Sequence, residues 1–398
     1  MIETFRSMMH LRKNWHSFAF SEMRELYLSM SLKQLALSLI GIFMPVLLYR
    51  LGNSVQDIAL FFALSFGLRV VGQFFFAYVV SLKGPKHVLR YSYGLLLVLL
   101  ILLLTLEDRG WPLWLVAMAY GWHMAAFFIG YHVDFSKIRS HSHSGSQVAS
   151  MMIALKVASA LGPLIGGLVA AWFGIEWTLT LAIVLIIAAV LPLLASGEPV
   201  RTHQTLRWKG IVTRKNWRAI ALHSGVAIDQ TVGVFIWPLV LGAFIFSDNA
   251  YAGVGFVFSA TLLVSVMLSR FLGRYIDAAK KTNRVMDVSA LFLATSHLGR
   301  AFVQSVGGVL FVGGLSEVGV MGSRIQFMKT YYELVDDLKG QRIAAVTLFE
   351  SINASTRALF WVLVAVLAGF LGEYEALRVA IIIGILGPVL LAVQNTKS

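Results

Sequence analysis

Ionisable side chains interrupt several long apolar runs of this sequence: Arg69, His123, Lys156, Asp229, Glu317, Glu350 and Arg357. Such a group at mid-membrane costs at least ~2.5–3.5 kcal/mol on insertion scales, so it persists where it meets a partner, a polar cavity or a ligand. A carboxyl there can exchange a proton, since burial favours its neutral form and a nearby Lys or Arg favours its charged one. Asp229, Glu317 and Glu350 are the candidates for that chemistry. Arg69, Lys156 and Arg357, with His123, are the candidates for holding an anionic group. Gln34 and Ser38, Tyr120 and Trp122, and Gln230 and Trp237 add polar and aromatic surface on the same set of runs. The competing reading for each charged member is a fixed ion pair that ties two helices together.

Other chemistries are missing from the sequence. With no cysteine, disulfides, zinc thiolate sites and thiol redox chemistry are excluded. Ser140-His141-Ser142-His143-Ser144 places two His at i and i+2, which share no helix face, and no carboxylate completes a metal site there. No Walker-type phosphate loop or paired catalytic carboxylate motif occurs, so neither an ATP-driven pump nor an enzyme is expected, and no metal or cofactor.

Composition dictates the elements that position the charged residues. Of the 398 residues 58% are hydrophobic and only 13% are charged, and the mean hydropathy is +0.76. So few charges cannot cover the surface of a soluble fold of this size. The expectation is an all-α integral membrane protein embedded in a lipid bilayer. A net charge of +13 would suggest nucleic acid in a soluble protein. Here the basic residues fall in short stretches between apolar runs, which is a topology signal, and no nucleic-acid partner is expected.

A spanning helix needs about 20 mostly apolar residues. Twelve candidates lie near 30–49, 55–81, 88–106, 111–133, 147–172, 176–195, 219–246, 252–276, 285–304, 306–326, 343–371 and 375–394. The ninth and tenth are divided only by a soft stretch around Gln304-Ser305, and one long helix there would leave eleven spans. Residues 1–28 mix Phe5, Trp15 and Phe18 with Arg6, Arg12 and Lys13, the pattern of an amphipathic segment on the cytoplasmic membrane surface and not of a cleavable signal. Lys83, Lys86, Arg90, Lys137, Arg139, the cluster from Arg201 to Arg218, Lys280, Lys281, Arg284, Lys329, Lys339 and Arg342 all fall on one side of the twelve-span topology. That bias places both termini in the cytoplasm. The economy of the loops suggests a prokaryotic inner membrane.

The chain also repeats itself. Residues 29–196 form a six-helix half, 197–217 a cytoplasmic central loop, and 218–398 a second half. Gly41-Ile42-Phe43-Met44-Pro45 is echoed by Gly233-Val234-Phe235-Ile236-Trp237-Pro238, and Phe135-Ser136-Lys137 by Phe327-Met328-Lys329. Halves with an even number of spans share one orientation, so the expected symmetry axis runs along the membrane normal.

Two motifs narrow the class. Gly273, Asp277 and Lys280 follow the eighth run with a Gly-x-x-x-Asp spacing that puts the small residue and the carboxylate on one helix face. The equivalent stretch in the first half has Ala77 and Ser81 in their places and keeps Gly84. In the fifth run, Gly162-Pro163-Leu164-Ile165-Gly166-Gly167 combines a helix kink with close-packing small residues. With these features the sequence resembles the major facilitator superfamily, over about residues 25 to 395. The resemblance implies twelve transmembrane helices in two pseudo-symmetric six-helix bundles, with helices 1, 4, 7 and 10 lining a central cavity. It also implies a monomeric secondary active transporter of a small-molecule substrate, working by alternating access and coupled to protons. The fifth-helix run is similar to the family's antiporter motif and mildly favours efflux. A uniporter or facilitator, or a scaffold or sensor that kept the fold without transport, is the alternative.

Overall fold

A computed structural model describes residues 28–139, 145–195, 205–209, 211, 217–278, 282–337 and 341–393, with backbone alone for 135–139, 145–156, 193–195, 268–278, 282–283 and a few single positions. The amphipathic segment before Leu28, the Ser-His tract and Lys280 lie outside the described residues.

Twelve helical segments follow one another: α1 Leu28–Arg50, α2 Val55–Lys83, α3 Pro85–Leu104, α4 Leu113–Arg139, α5 Gly145–Phe173, α6 Ile175–Ala195, α7 Trp217–Ile245, α8 Ala250–Ala278, α9 Thr282–Arg300, α10 Val306–Asp337, α11 Arg342–Leu371 and α12 Glu373–Ala392. Ten of the spans among the described residues are long and apolar enough to cross a membrane. Local signals set their ends. Ser54 caps α2 reciprocally with Asp57, Pro85 opens α3, and Ser305 Oγ accepts from Gly308 N–H at the start of α10. The soft stretch between the ninth and tenth runs is a true break: α9 stops at Arg300 and residues 301–305 turn.

One end of the molecule carries the tight turns at Gly52, Gly110, Gly174 and Gly372. The opposite end carries Lys83, Lys86, Arg90, Arg139, Arg284 and Arg342 and is called the basic end below. Within the first six helices, α4 packs on α2 and α3, and α6 on α3 and α5. Within the last six, α7 packs on α11 and α12, α10 on α8 and α9, and α12 on α9 and α11. The two sets meet chiefly through α2 against α11 and α5 against α8.

The repeated segments deviate from α geometry at matching places. In α1, Gly41–Phe43 is a 3-10 turn before Pro45. In α7, Val232–Ile236 is a π segment before Pro238. A π turn holds more residues than an α or 3-10 turn. That explains why five residues in the first copy match six in the second.

Two expectations need correction. The tenth helix does not end near 326 but continues to Asp337, so Lys329 belongs to a helix and not to a loop. At ~1.5 Å per residue α10 is longer than the ~30 Å hydrocarbon core, so its charged last turns extend beyond the apolar layer. α9 is not the apolar span its length suggested. It is absent from the ten spans apolar enough to cross, because it carries a polar stripe, and Ser289, Ser296, His297 and Arg300 on that stripe are buried.

Candidate functional site

The tightest charged contact of the site joins the two sets of six helices. On α2, Phe62, Ser65, Arg69, Gln73 and Phe76 are buried at helical spacing, and on α11 so are Phe349, Glu350, Asn353, Arg357 and Trp361. These stripes face each other. Arg69 Nη2 donates to Glu350 Oε2 at 2.6 Å, with the Arg69 side chain 1% and the Glu350 side chain 7% exposed. His132 of α4 places Nε2 3.5 Å from the other carboxylate oxygen and shares a hydrogen bond of 2.9 Å with the Tyr332 hydroxyl of α10. One turn along, Ser351 Oγ donates to Gln73 Oε1 at 2.9 Å. Arg69 also lies over the Phe128 ring. One carboxylate thus gathers α2, α4 and α11 in a dry setting, where an ion pair is strong only while both partners keep their charge.

Arg357 sits two turns further along α11. Its Nε donates to Asn353 Oδ1 at 3.0 Å, its Nη2 donates to Gln230 Oε1 of α7, and its plane lies over Phe66. Asp229, the neighbour of Gln230, points the other way. It accepts from His297 Nε2 of α9 at 3.0 Å, and Arg300 Nη1 stands 3.5 Å from the second ring nitrogen. Arg300 lies over Trp237 and within electrostatic reach of Glu317 of α10. Glu317 is half-buried.

At the other end of the same helix pair, Gly372 ends α11 at φ 80°, a conformation that costs a residue with a Cβ ~1–2 kcal/mol. The turn delivers Glu373 to the first set of helices. Its Oε1 accepts from Val55 N–H at 2.9 Å and its Oε2 from the Tyr49 hydroxyl at 3.2 Å. Arg50 donates to the Ser247 carbonyl beside it.

The Gly-Pro run of α5 lies against two neighbours. Gly162 and Gly166 abut Ser38 and Leu39 of α1, while Gly167 abuts Gly255 of α8, where an added Cβ would stand 3.2 Å from the opposite Cα. Pro163 donates no backbone hydrogen bond, and the next donor, Leu164 N–H, goes to Ser259 Oγ of α8 at 2.8 Å. Gln34 Nε2 donates to Ser159 Oγ at 2.9 Å, so α1 also holds α5.

The structure therefore brings together Arg69 and Glu350, Arg357 and Gln230, and Trp237 with the Asp229 group. It sets His123 apart: its Nδ1 shares a hydrogen bond of 2.7 Å with the Ser92 carbonyl of α3. Lys156, Gly273 and Asp277 are described by backbone alone, so their contacts lie outside the described residues. Sequence reasoning missed His132, His297, Arg300 and Arg324. His132 and Arg324 lay at the expected ends of shorter helices. His297 and Arg300 lay on a helix whose polar stripe was not scored for direction. Arg324 of α10 lies within electrostatic reach of Tyr131, Glu350, Asp229 and Tyr332, and its side chain is exposed.

Apolar helices with buried charges shared between two sets of six are features of a membrane transporter. Comparison with known proteins agrees. A family model for the Major Facilitator Superfamily matches residues 26–353, and the chain belongs to that superfamily. It is 23% identical over 290 residues to a multi-drug resistance efflux pump PmrA homolog from Lactococcus lactis subsp. lactis (strain IL1403), covering 67% of this chain and 69% of that protein. Its fold is similar to that of a POT family transporter crystallised with 5-aminolevulinic acid, with a TM-score of 0.68, 11% identity and 94% and 96% of the two chains covered. It is also similar to the nucleoside transporter NupG, with a TM-score of 0.63, 12% identity and 94% and 97% covered.

Proposed function

We propose that this protein is a proton-coupled secondary transporter that moves a small solute by alternating access, with Glu350 as the group that carries the proton. The bundles at 29–196 and 218–398, joined by the loop at 197–217, rock against each other. The basic end faces the cytoplasm of a cell with this protein in its inner membrane, as the distribution of Lys and Arg favours. One observation carries the reading: a single buried carboxylate holds Arg69 at 2.6 Å across the two sets of helices. Ionised, Glu350 keeps the cytoplasmic end shut. Protonated, it no longer balances Arg69, and that end can part. Proton release to the cytoplasm lets the tie form again. Asp229 with His297 and Glu317 are secondary proton positions. The Gly-Pro run and the efflux relative favour export. The protein works as a monomer.

The test is a vesicle flux assay with a panel of anionic, neutral and cationic solutes under an imposed pH gradient. Glu350→Gln is expected to abolish gradient-driven accumulation while solute exchange continues. Accumulation in Glu350→Gln equal to that of the parent protein would remove Glu350 as the coupling group. Flux that ignores the gradient in both proteins would favour facilitated diffusion.

A further inference from the structure

We propose that His132 and Tyr332 set the pH at which the basic end opens: Tyr332 fixes the ring tautomer of His132, and His132 then turns an N–H toward the charged form of Glu350. This rests on the transport reading above and adds two positioning residues to its proton switch. Geometry is the first support. Arg69 of α2 takes one oxygen of Glu350 at 2.6 Å, and His132 Nε2 of α4 stands 3.5 Å from the other. The second ring nitrogen, Nδ1, shares a hydrogen bond of 2.9 Å with the Tyr332 hydroxyl of α10. His132 and Tyr332 are both buried, so water competes little for these contacts. The sequence of contacts runs from α11 to α4 and on to α10, crossing between the two sets of helices twice.

The chemistry of the donors is the second support. An ionised carboxylate only accepts, so the ring nitrogen that faces it must carry the hydrogen. In a neutral imidazole the other nitrogen is then a lone pair, and the Tyr332 hydroxyl is the donor to it. Donors and acceptors all match when Glu350 is charged. A protonated Glu350 that turned its O–H toward His132 would need the lone pair on Nε2, which obliges Nδ1 to carry the hydrogen and Tyr332 to give up its donor role. Tyr332 thus biases His132 toward the arrangement that suits the carboxylate. The other charged and titratable groups facing Glu350 and His132 are Arg69 of α2, His223 of α7, Arg324 and Tyr331 of α10, and Arg357 of α11. Polar crowding does not account for the contact. The rings of Tyr331 and Tyr332 both lie against His132, yet the Tyr331 hydroxyl and His223 Nδ1 have no hydrogen-bond partner among the described residues.

The experiment follows the basic-end distance of the purified protein across a pH series, by pulsed electron resonance between spin labels at Lys83→Cys and Arg284→Cys. Without the Tyr332 hydroxyl the hydrogen of His132 is no longer held on Nε2, the charged form of Glu350 loses support, and less acid is needed to protonate it. Tyr332→Phe is therefore expected to open the basic end at a pH above that of the parent by about half a unit or more, the size of one weakened hydrogen-bond contact. His132→Phe should shift the opening at least as far, and His132→Gln, which keeps an N–H donor, should shift it less. Tyr331→Phe should open at the parental pH. Unfolding midpoints at neutral pH report folding independently, and Tyr332→Phe, which loses a single oxygen, carries the test if the His132 variants fail to fold. The inference is overturned if Tyr332→Phe opens at the parental pH or a lower one, or if Tyr331→Phe shifts as far as Tyr332→Phe. Glu350→Gln separates this inference from the coupling reading. A Glu350→Gln protein that stays closed at neutral pH removes Glu350 as the switch, and the two positioning residues with it. A Glu350→Gln protein open at every pH, beside an unshifted Tyr332→Phe, leaves the coupling reading standing without them.

Discussion

A carboxylate ties the first set of helices to the second near each end of the molecule, Glu350 from within α11 and Glu373 from the start of α12, and the two ties are built differently. Glu350 is buried and holds a guanidinium. Glu373 is half-buried and holds a backbone N–H and a phenol. The first contact is charge against charge in a dry interior, where loss of either charge strands the other. The second is a set of single hydrogen bonds near water, each exchangeable for a solvent contact at a net cost of ~1 kcal/mol. A molecule that must open at either end can use the second kind of latch as a passive closure. Only the first kind answers sharply to a proton.

The largest effect that would sharpen this contrast is expected from Arg69→Met. It leaves the Glu350 carboxylate buried beside His132 alone, and stability in detergent should fall by ~3–5 kcal/mol. Combining it with Glu350→Gln should recover much of the loss, which denaturation of the single and double variants would reveal. Strict additivity would mean that the two residues act separately.

An intermediate effect is expected where α5 and α8 touch. Gly255→Leu drives a side chain into Pro163 and Gly167, an overpacking cost of ~1–3 kcal/mol. Because this contact lies between the two sets of helices, flux should fall more than expression. A variant with parental flux would show that α5 and α8 need not approach closely.

The smallest effect belongs to Glu373→Gln. The amide oxygen still accepts one hydrogen bond, so stability should change by ~1 kcal/mol or less, and the pH dependence of flux should stay as in the parent. A lost pH dependence in this variant would break the contrast and move the sensitive latch to the other end.

Much of the architecture was legible in the sequence, because twelve apolar runs separated by basic stretches leave few ways to fold. The charged residues Arg69, Glu350, Asp229 and Arg357 were legible for the same reason, since charge inside an apolar run stands out. Their pairing was not. Nothing local to position 69 tells that it meets position 350, because that contact is a product of tertiary packing. Arg324 lay inside the expected tenth run, two residues from its end, where a charge reads as a helix terminus. The charged turns after Phe327 read as loop by composition, although their backbone continues as helix to Asp337. His297 and Arg300 were hidden by direction, because hydropathy averages over a helix and does not report that its polar stripe faces inward. The extra residue in the second copy of the Gly–Pro segment looked like an irregular match. It is a π turn.

The central claim is that the charge on Glu350 closes the basic end. The absence of cysteine lets spin labels be placed at will. Labels at Lys83→Cys and Arg284→Cys span the basic end, and labels at Asp108→Cys and Asp248→Cys span the opposite one, all four positions being exposed. Pulsed electron resonance distances, taken at neutral and at acid pH with and without Glu350→Gln, test the claim directly. The basic-end distance is expected to be short in the parent at neutral pH, longer at acid pH, and long at both in Glu350→Gln. A short basic-end distance in Glu350→Gln at neutral pH, matching the parent, would contradict it.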